Sequence, residues 1–532
     1  MSQIQIEGLN FSYEGGARPI FQNLTLTLDT DWRLGVIGPN GSGKSTLLRL
    51  LAGQLDSGGA IRGAPRCALF PIVPPQPAGR TALQVAREAV APFGAMEQEM
   101  ERLLARADGP ALERYGELEQ RYASLGGYRI DSHLTREADR LEIRPDALCR
   151  PFEQLSGGEQ VKLLLAALFL RRDHFLLIDE PTDHLDLHGR ALLGRYLAGK
   201  RGFVLVTHDR ALLDAAADHI LSLRPGGAAL EQGNYTSWKE NRDRRDAWEQ
   251  AQDHKLRGEI RRMEQAAARA ADWARQTEAG KYGSRNSGLR VDRGFVGAKA
   301  ARMMQSAKNL ERRQQRAIEE KRALLREPDP TGPLKLARLQ PARPRLLWAE
   351  DLTVDYGAGP LFAPVRLTLC SGQRLALLGP NGSGKTSLLN LILGQQVPHR
   401  GDFWRQPGLE ISFLPQSSRQ AVGPLRDWPR QRGIDPALFF AILRKLGFAR
   451  EVFELDAADC SQGQKRKLLL AAALARPAHL LIWDEPLNYL DILSREQVEE
   501  LLCTFAPTIL FTEHDARFIE RVATDRLVLR PD

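Results

Sequence analysis

Gly38-Pro39-Asn40-Gly41-Ser42-Gly43-Lys44-Ser45 decides how the chain reads, because it returns in the second half as Gly379-Pro380-Asn381-Gly382-Ser383-Gly384-Lys385-Thr386. Both stretches fit G-x-x-x-x-G-K-[ST], and each lies between an apolar strand and a Leu-rich helix. Glycines free the backbone to fold around a phosphate. The loop amides and the helix N-terminus supply partial positive charge, and Lys44 or Lys385 adds a full one. Ser45 and Thr386 offer a hydroxyl to Mg2+. The nucleotide contacts expected are therefore Gly38, Asn40, Gly41, Gly43, Lys44, Ser45 and Thr46, and in the second half Gly379, Asn381, Gly382, Gly384, Lys385, Thr386 and Ser387.

Further motifs keep the same register. Leu155-Ser156-Gly157-Gly158-Glu159-Gln160 opens an apolar helix, and Phe175-Leu176-Leu177-Ile178-Asp179-Glu180 reads as a buried strand ending in two carboxylates. The second half has Cys460-Ser461-Gln462-Gly463-Gln464-Lys465 and Leu480-Leu481-Ile482-Trp483-Asp484-Glu485. In each half a strand then ends in a histidine, His208 or His514. Ser156, Glu180 and His208 recur as Ser461, Glu485 and His514 at offsets of 305, 305 and 306 residues.

This set resembles the ATP-binding cassette (ABC) superfamily over essentially both halves of the chain. The resemblance implies an α/β fold of two tandem ABC-type P-loop ATPase domains that close head to tail. Each ATP would lie between one half's phosphate loop and the other half's signature helix. One composite site would join Lys44, Ser45, Asp179, Glu180 and His208 to Ser461 and Gly463. The other would join Lys385, Thr386, Asp484, Glu485 and His514 to Ser156 and Gly158. Phosphoryl transfer to water is mostly positioning and charge neutralisation, and the residue types suit it. Asp179 and Asp484 would hold hydrated Mg2+, Glu180 and Glu485 would orient and deprotonate the attacking water, and His208 and His514 would contact the terminal phosphate. Gln76 and Gln416, 32 and 31 residues after their lysines, look like the glutamines that sense Mg2+ and that phosphate. The Pro-rich surroundings of Gln76 also suit a plain turn. Tyr13 and Tyr356 could each stack on adenine or belong to the core.

The halves differ in two places. From Gln76 to Ser156 is 80 residues, whereas Gln416 to Ser461 is 45, so the first half carries 35 more. The extra segment is helix-rich, with Leu112, Tyr115, Leu118, Tyr122 and Leu125 on one face and a break at Gly109-Pro110, and reads as a short hairpin. Its seven acidic and four basic residues between Met96 and Ala123 do not favour a phosphate backbone. The second difference lies between the halves. Leu256, Ile260, Met263, Ala267, Ala270 and Ala274 mark a heptad seam, and Met303, Ala307, Leu310, Ala317 and Leu324 a second stripe, predicting an antiparallel helical hairpin. Five glycines from Gly280 to Gly297 leave an extended tip. Lys239 to Glu327 holds 23 basic and 14 acidic residues, more excess positive charge than the whole chain's +8. Lys281, Tyr282, Arg285, Arg290, Arg293, Phe295 and Lys299 in the tip suit phosphate contact and base stacking, which points to RNA. A solvated coiled-coil surface is the competing reading.

The chain has 532 residues, 43% hydrophobic and 26% charged, enough for two to three cores. No run reaches the eighteen or more apolar residues of a membrane helix; Leu468 to Ala475 ends at Arg476. The first residues lack the basic start and apolar core of a signal peptide, which predicts a cytoplasmic protein. Five scattered cysteines argue against a zinc site or a disulfide framework.

Paired cassettes with a basic helical linker resemble the ABC-F branch. Asp179-Glu180-Pro181-Thr182-Asp183-His184-Leu185-Asp186 departs from that branch's pattern at Asp183, where asparagine is usual. Trp483 to Asp491, Cys460 to Lys465 with Gln462 in place of the usual first signature glycine, Thr512-Glu513-His514-Asp515 and Gly297 to Met304 resemble the Lsa and Vga type of antibiotic-resistance protein. The resemblance implies an ATP-hydrolysing, monomeric factor using ATP and Mg2+. It would enter the ribosomal exit site and push its linker tip toward peptidyl-tRNA and the peptidyl transferase centre, contacting rRNA. Lincosamides, streptogramin A and pleuromutilins would be displaced. The alternatives are a housekeeping translation factor that rescues stalled ribosomes and the ATPase subunit of a membrane transporter. The expected domains are residues 1–237 with an arm at about 94–127, the hairpin 238–330, a Pro-rich connector 331–344 and the second cassette 345–532.

Overall fold

The computed structural model describes residues 3–13, 19–56, 58–74, 77–106, 108–172, 174–224, 227–279, 339–357, 359–448 and 450–531. In the first half β1 (Gln3–Phe11), β2 (Phe21–Asp29) and β4 (Gly58–Arg62) make an antiparallel sheet in the order β2-β1-β4. Six strands, β3 (Arg33–Ile37), β5 (Cys67–Phe70), β6 (Phe175–Asp179), β7 (Phe203–Val206), β8 (His219–Arg224) and β9 (Gly227–Gln232), make the main sheet in the order β5-β6-β7-β3-β8-β9. All its pairs are parallel except β8 with β9. The second half repeats the plan. An antiparallel sheet β11-β10-β13 joins β10 (Arg345–Val354), β11 (Val365–Cys370) and β13 (His399–Arg405), beside a parallel sheet β14-β15-β16-β12-β17. That sheet comprises β12 (Arg374–Leu378), β14 (Ile411–Leu414), β15 (Leu480–Asp484), β16 (Ile509–Thr512) and β17 (Asp525–Val528).

Parallel strands covered by helices on both faces need unbroken apolar runs. β7, Phe203-Val204-Leu205-Val206, is buried at every residue, and so are Leu480 to Trp483 in β15. The order β6-β7-β3 brings three C-terminal strand ends side by side. They carry Asp179, His208 and the Lys44 loop, the edge where open parallel sheets place their ligands.

The extra segment of the first half is a pair of packed helices, Phe93–Arg106 and Gly109–Ser124. The break falls just before Gly109-Pro110, which starts the second helix. The Asp108 carboxylate accepts from the Ala111 N–H at 2.8 Å, and Pro110 fits a first turn where no donor is needed. The expected apolar stripe is buried at Tyr122 and half-buried at Leu118 and Leu125, while Leu112 nearer the tip is exposed.

The chain forms two compact units, Met1–Trp238 with Pro333–Asp532, and Lys239–Gly332. In the second unit the helix Tyr235–Ala279 continues with Ile260 buried and Leu256 and Met263 half-buried. Lys239, Arg242 and Arg257 pair with acidic residues four positions away, and Arg244 with Glu240. Charge on this stretch is thus largely self-compensated. The side chains of Ala267, Ala270 and Ala274, the tip residues Lys281, Tyr282, Arg285, Arg290, Arg293, Phe295 and Lys299, and the stripe from Met303 to Leu324 lie outside the described residues. Among the described residues no helix is long and apolar enough to cross a membrane.

Within the first unit the two halves meet through buried charge. Arg210 of the first half donates to Glu499 and Asp515 of the second, all three buried. Arg517 answers toward Asp214 and Thr236, and Tyr235 donates to Glu496 at 2.6 Å.

Candidate active site

Each phosphate loop closes on its own lysine. Lys44 Nζ donates to the Gly38 and Pro39 carbonyls at 3.0 and 3.1 Å, and Lys385 Nζ to those of Gly379 and Pro380 at 2.8 Å each. Burial pushes both ammonium groups below their ordinary range. The two glycines behind the lysines are fixed by crowding. A Cβ on Gly38 would lie 2.6 Å from the Leu223 oxygen, and one on Gly379 2.8 Å from that of Leu529.

The strand ends carry the acidic pairs in a strained turn. Glu180 and Glu485 take φ of 44° and 47°, and four residues on His184 and Tyr489 take 66° and 63°. Such left-handed non-glycine residues cost on the order of 1–3 kcal/mol each and gather at functional sites. The turn is held by the neighbouring strand: Glu180 N donates to the Val206 oxygen at 2.9 Å, and Glu485 N to that of Thr512 at 3.2 Å.

The environments of the two glutamates differ. Gln416 Nε2 and Asn488 Nδ2 each donate to Glu485 Oε2 at 2.7 Å, and His514 Nε2 lies 3.6 Å from its other oxygen. Against the upward push of burial, the polar contacts of His514, Gln416 and Asn488 hold the Glu485 carboxyl down at about 2. In the first half Asp183 stands where Asn488 stands in the second. Burial, with Asp183 and Asp179 adding like charge, pushes Glu180 up to about 8. His208 Nε2 lies 3.4 Å from Glu180 Oε1, and burial together with Lys44 and Arg495 pushes this imidazole well below its ordinary value.

The halves interlock loop to loop. The Asn40 side chain donates to the Tyr489 carbonyl at 2.8 Å and its backbone N–H to Asp491 at 3.2 Å, while the Asn381 side chain donates to the His184 carbonyl at 3.0 Å. A cavity of about 1440 Å³ follows this seam. Lys44, Ser45, Asp179, Glu180 and His208 line it opposite Ser461 and Gly463, the grouping expected for one composite site. Tyr13, Asn40, Gly41, Gly43, Thr46, Asn381, Gly382, Gly384, Lys385, Thr386, Ser387, Gln416, Glu485 and His514 line it too. Gly38, Gly379, Tyr356, Asp484, Ser156 and Gly158 are not among its walls. Asp484 is buried behind it, accepting from Thr512 Oγ1 at 2.6 Å and Thr386 Oγ1 at 3.4 Å. Ser156 caps its own helix through Glu159, and Gly158 packs on His184. Tyr13 and Tyr356 are exposed, so neither is a core aromatic, and their hydroxyls meet Thr46 at 3.2 Å and Ser387 at 3.3 Å. Gln76 lies outside the described residues.

Ser42 Oγ, Ser383 Oγ, Asp179 Oδ1, Glu180 Oε1 and His514 Nε2 are buried without a hydrogen-bond partner among the described residues. Buried polar atoms are normally paired. Two loops of donors beside unpaired carboxylate oxygens suit a phosphate chain with a hard cation.

A family model described as ABC transporter matches residues 21–183 and 362–488, more than half of the chain and both phosphate loops. The chain belongs to the ABC transporter family. It therefore carries two tandem ABC ATPase cassettes that bind and hydrolyse ATP, as the motif resemblance implied. The chain is 29% identical to the ribosome protection protein VmlR of Bacillus subtilis over 98% of its own length and 86% of that protein. It is also 29% identical to the energy-dependent translational throttle protein EttA of Escherichia coli, over 95% and 88%. The fold matches an archaeal ribosome recycling factor, aABCE1, solved with the ribosomal stalk protein aP1, with a TM-score of 0.59, 19% identity and coverage of 99% and 88%.

The cassette motifs did not single out Arg466. It sits in the second signature helix, Gln462–Ala475, fully buried, and donates to the carbonyls of Pro415, Gln416, Asp484, Glu485 and Pro486. Burial pushes its guanidinium down to about 10, against the pull of Glu513 and the Asp484 and Glu485 carboxylates. Aligning the halves at the 305-residue offset exposes it, because the first cassette has Val161 there.

Proposed function

We propose that the chain is an ABC-F factor of the cytoplasm that uses ATP and Mg2+ to act on the ribosome, and that it displaces lincosamide, streptogramin A or pleuromutilin antibiotics. The observation that carries this reading is the near-full-length likeness to a ribosome protection protein, in a chain whose two cassettes already interlock through Asn40 and Asn381. The equal identity to EttA supports the second reading, a housekeeping factor controlling translation without drug release. The ribosomal contact would be made by the tip residues Lys281 to Lys299 with rRNA and peptidyl-tRNA, from the exit site.

In the mechanism this supports, Lys44 and Lys385 bind the phosphates with the loop amides, and Asp179 with Ser45, and Asp484 with Thr386, would hold Mg2+. When bound, the metal would supply charge neutralisation on the phosphates. Glu180 and Glu485 accept the proton of the attacking water, and His208 and His514 orient the terminal phosphate. Ser461 with Gly463, and Ser156 with Gly158, complete the sites from the opposite cassette, so hydrolysis follows closure and release follows hydrolysis.

The Glu180→Gln/Glu485→Gln double variant keeps the binding groups and loses the proton acceptors. It is expected to sediment with 70S ribosomes in ATP and not in ADP. Absence of such binding, with membrane proteins copurifying, replaces this reading by the transporter subunit. Growth with and without the three drug classes then separates protection from the housekeeping role.

A further inference from the structure

The second cassette buries two opposite charges, Arg466 and Glu513, at positions where the first has neither. Arg466 and Glu513 correspond to Val161 and Thr207, so both members change together. Glu513 is itself buried and accepts from the backbone N–H groups of Leu487 at 2.8 Å and His514 at 2.7 Å, while Thr207 meets Thr182 at 3.4 Å. Arg466 leaves the signature helix about 7.5 Å along its axis from Ser461, the residue facing the first site. Its donors end on the carbonyls of Gln416 at 3.3 Å, Asp484 at 2.8 Å and Pro486 at 3.0 Å, and on those of Pro415 and Glu485. Those carbonyls belong to the loop and strand end that bring Gln416, Asn488 and Glu485 together at the second site. At the same place in the first cassette Val161 is apolar and packs on the core. The side-chain amide of its neighbour Gln160 donates to the Phe152 and Leu155 carbonyls, within the approach to its own signature helix.

We propose that Arg466 is a positioning residue that links ATP held at the first site, through Ser461 and the rigid start of its helix, to the placement of Glu485 and Gln416 at the second. A guanidinium is suited to this because its planar fork fixes several carbonyls at once. Hydrolysis at the second site therefore depends on the first being filled, and among the described residues the first cassette shows no matching link. The inference rests on the two composite sites as assigned above.

The test is a comparison of second-site ATP turnover in the full chain in two settings. Glu180→Gln lets the first site hold ATP without hydrolysing it, and Lys44→Ala removes its grip on phosphate. With Arg466 present, the first setting is expected to exceed the second about tenfold in kcat, within the usual range of coupling between sites. In the R466V/E513T background the ratio is expected to fall below about twofold. Arg466→Lys keeps the charge and cannot span both sets of carbonyls, so it is expected to lose the coupling while melting as the parent does. It decides the question alone if the double variant does not fold. A ratio near one in the parent, or an unchanged ratio in the Arg466 variants, overturns the proposal. Turnover surviving in Glu180→Gln/Glu485→Gln instead overturns the assignment of the sites themselves.

Discussion

At Gly463 a methyl group has nowhere to go. A Cβ there would lie 2.6 Å from Asn40 Nδ2 and 2.8 Å from the Tyr489 oxygen, the two atoms already hydrogen-bonded across the seam. Overpacking of this kind costs about 1–3 kcal/mol, and here it falls on the contact between cassettes. Gly463→Ala should lower kcat/KM for ATP about tenfold with little change in the melting temperature of either cassette. Gly158→Ala, with its nearest backbone oxygen at 3.2 Å, should lose no more than about threefold. Steady-state hydrolysis and a melting curve check both. Glu137 illustrates a different residue-level effect. It is buried, and its carboxylate accepts from Lys200 at 2.6 Å, Tyr196 at 2.7 Å and Arg140 at 2.8 Å. Burial alone would raise its pKa, yet these donors hold it below the ordinary 4.5. Its contribution is therefore complete above the unfolded value and fades as pH falls through the lower folded one. Glu137→Gln should lose about 2 kcal/mol at pH 7, and denaturant curves of the two proteins should converge as the pH drops below 4.5. The phosphate-loop lysines, acidic pairs and histidines were legible one by one, because their chemistry demands particular residue types. Arg466 was not, since a lone arginine in a helix ordinarily reads as solvated surface. Only its burial among carbonyls sets it apart.

Single elements were legible where local physics sets them. Ser156 with Glu159 and Ser461 with Gln464 form capping boxes, so the serines that begin both signature helices also satisfy orphan N–H groups at the helix starts. The arm was legible as a hairpin from composition and length. The helix breaks just before Gly109-Pro110, which open the second helix because Asp108 caps it and Pro110 fits its first turn. Asp108→Ala should weaken the second arm helix by about 1 kcal/mol. Hydrogen exchange should rise in its first turn, and ATP hydrolysis should stay at the parent rate. The apolar stripe gave no sign of stopping short of the tip, because periodicity reports a face and not what covers it.

For the whole molecule, the repeat showed two cassettes, but the charged joint between them was beyond sequence reach. Arg210 has Ala516 as its counterpart at the 306-residue offset, and Arg517 has Ala211. Neither belongs to a motif. Arg210 meets Glu499 and Asp515, and removal of one member of a buried set costs about 3 kcal/mol or more. Arg210→Met should therefore uncouple the cassettes, and calorimetry should resolve two melting transitions where the parent shows one cooperative event. Turnover that needs both cassettes should fall with it.

Asn40 and Asn381 each grip a carbonyl of the opposite cassette, at Tyr489 and His184, and leave the side chains of those residues out of the bond. Recognition through the main chain is indifferent to what hangs from it. A tyrosine and a histidine already serve the same purpose within one molecule. Diverged duplicates can keep docking on each other while their side chains drift, provided the receiving backbone keeps its left-handed bend. A chimera that takes one cassette from a distant relative should, by the same logic, still find its register at this seam.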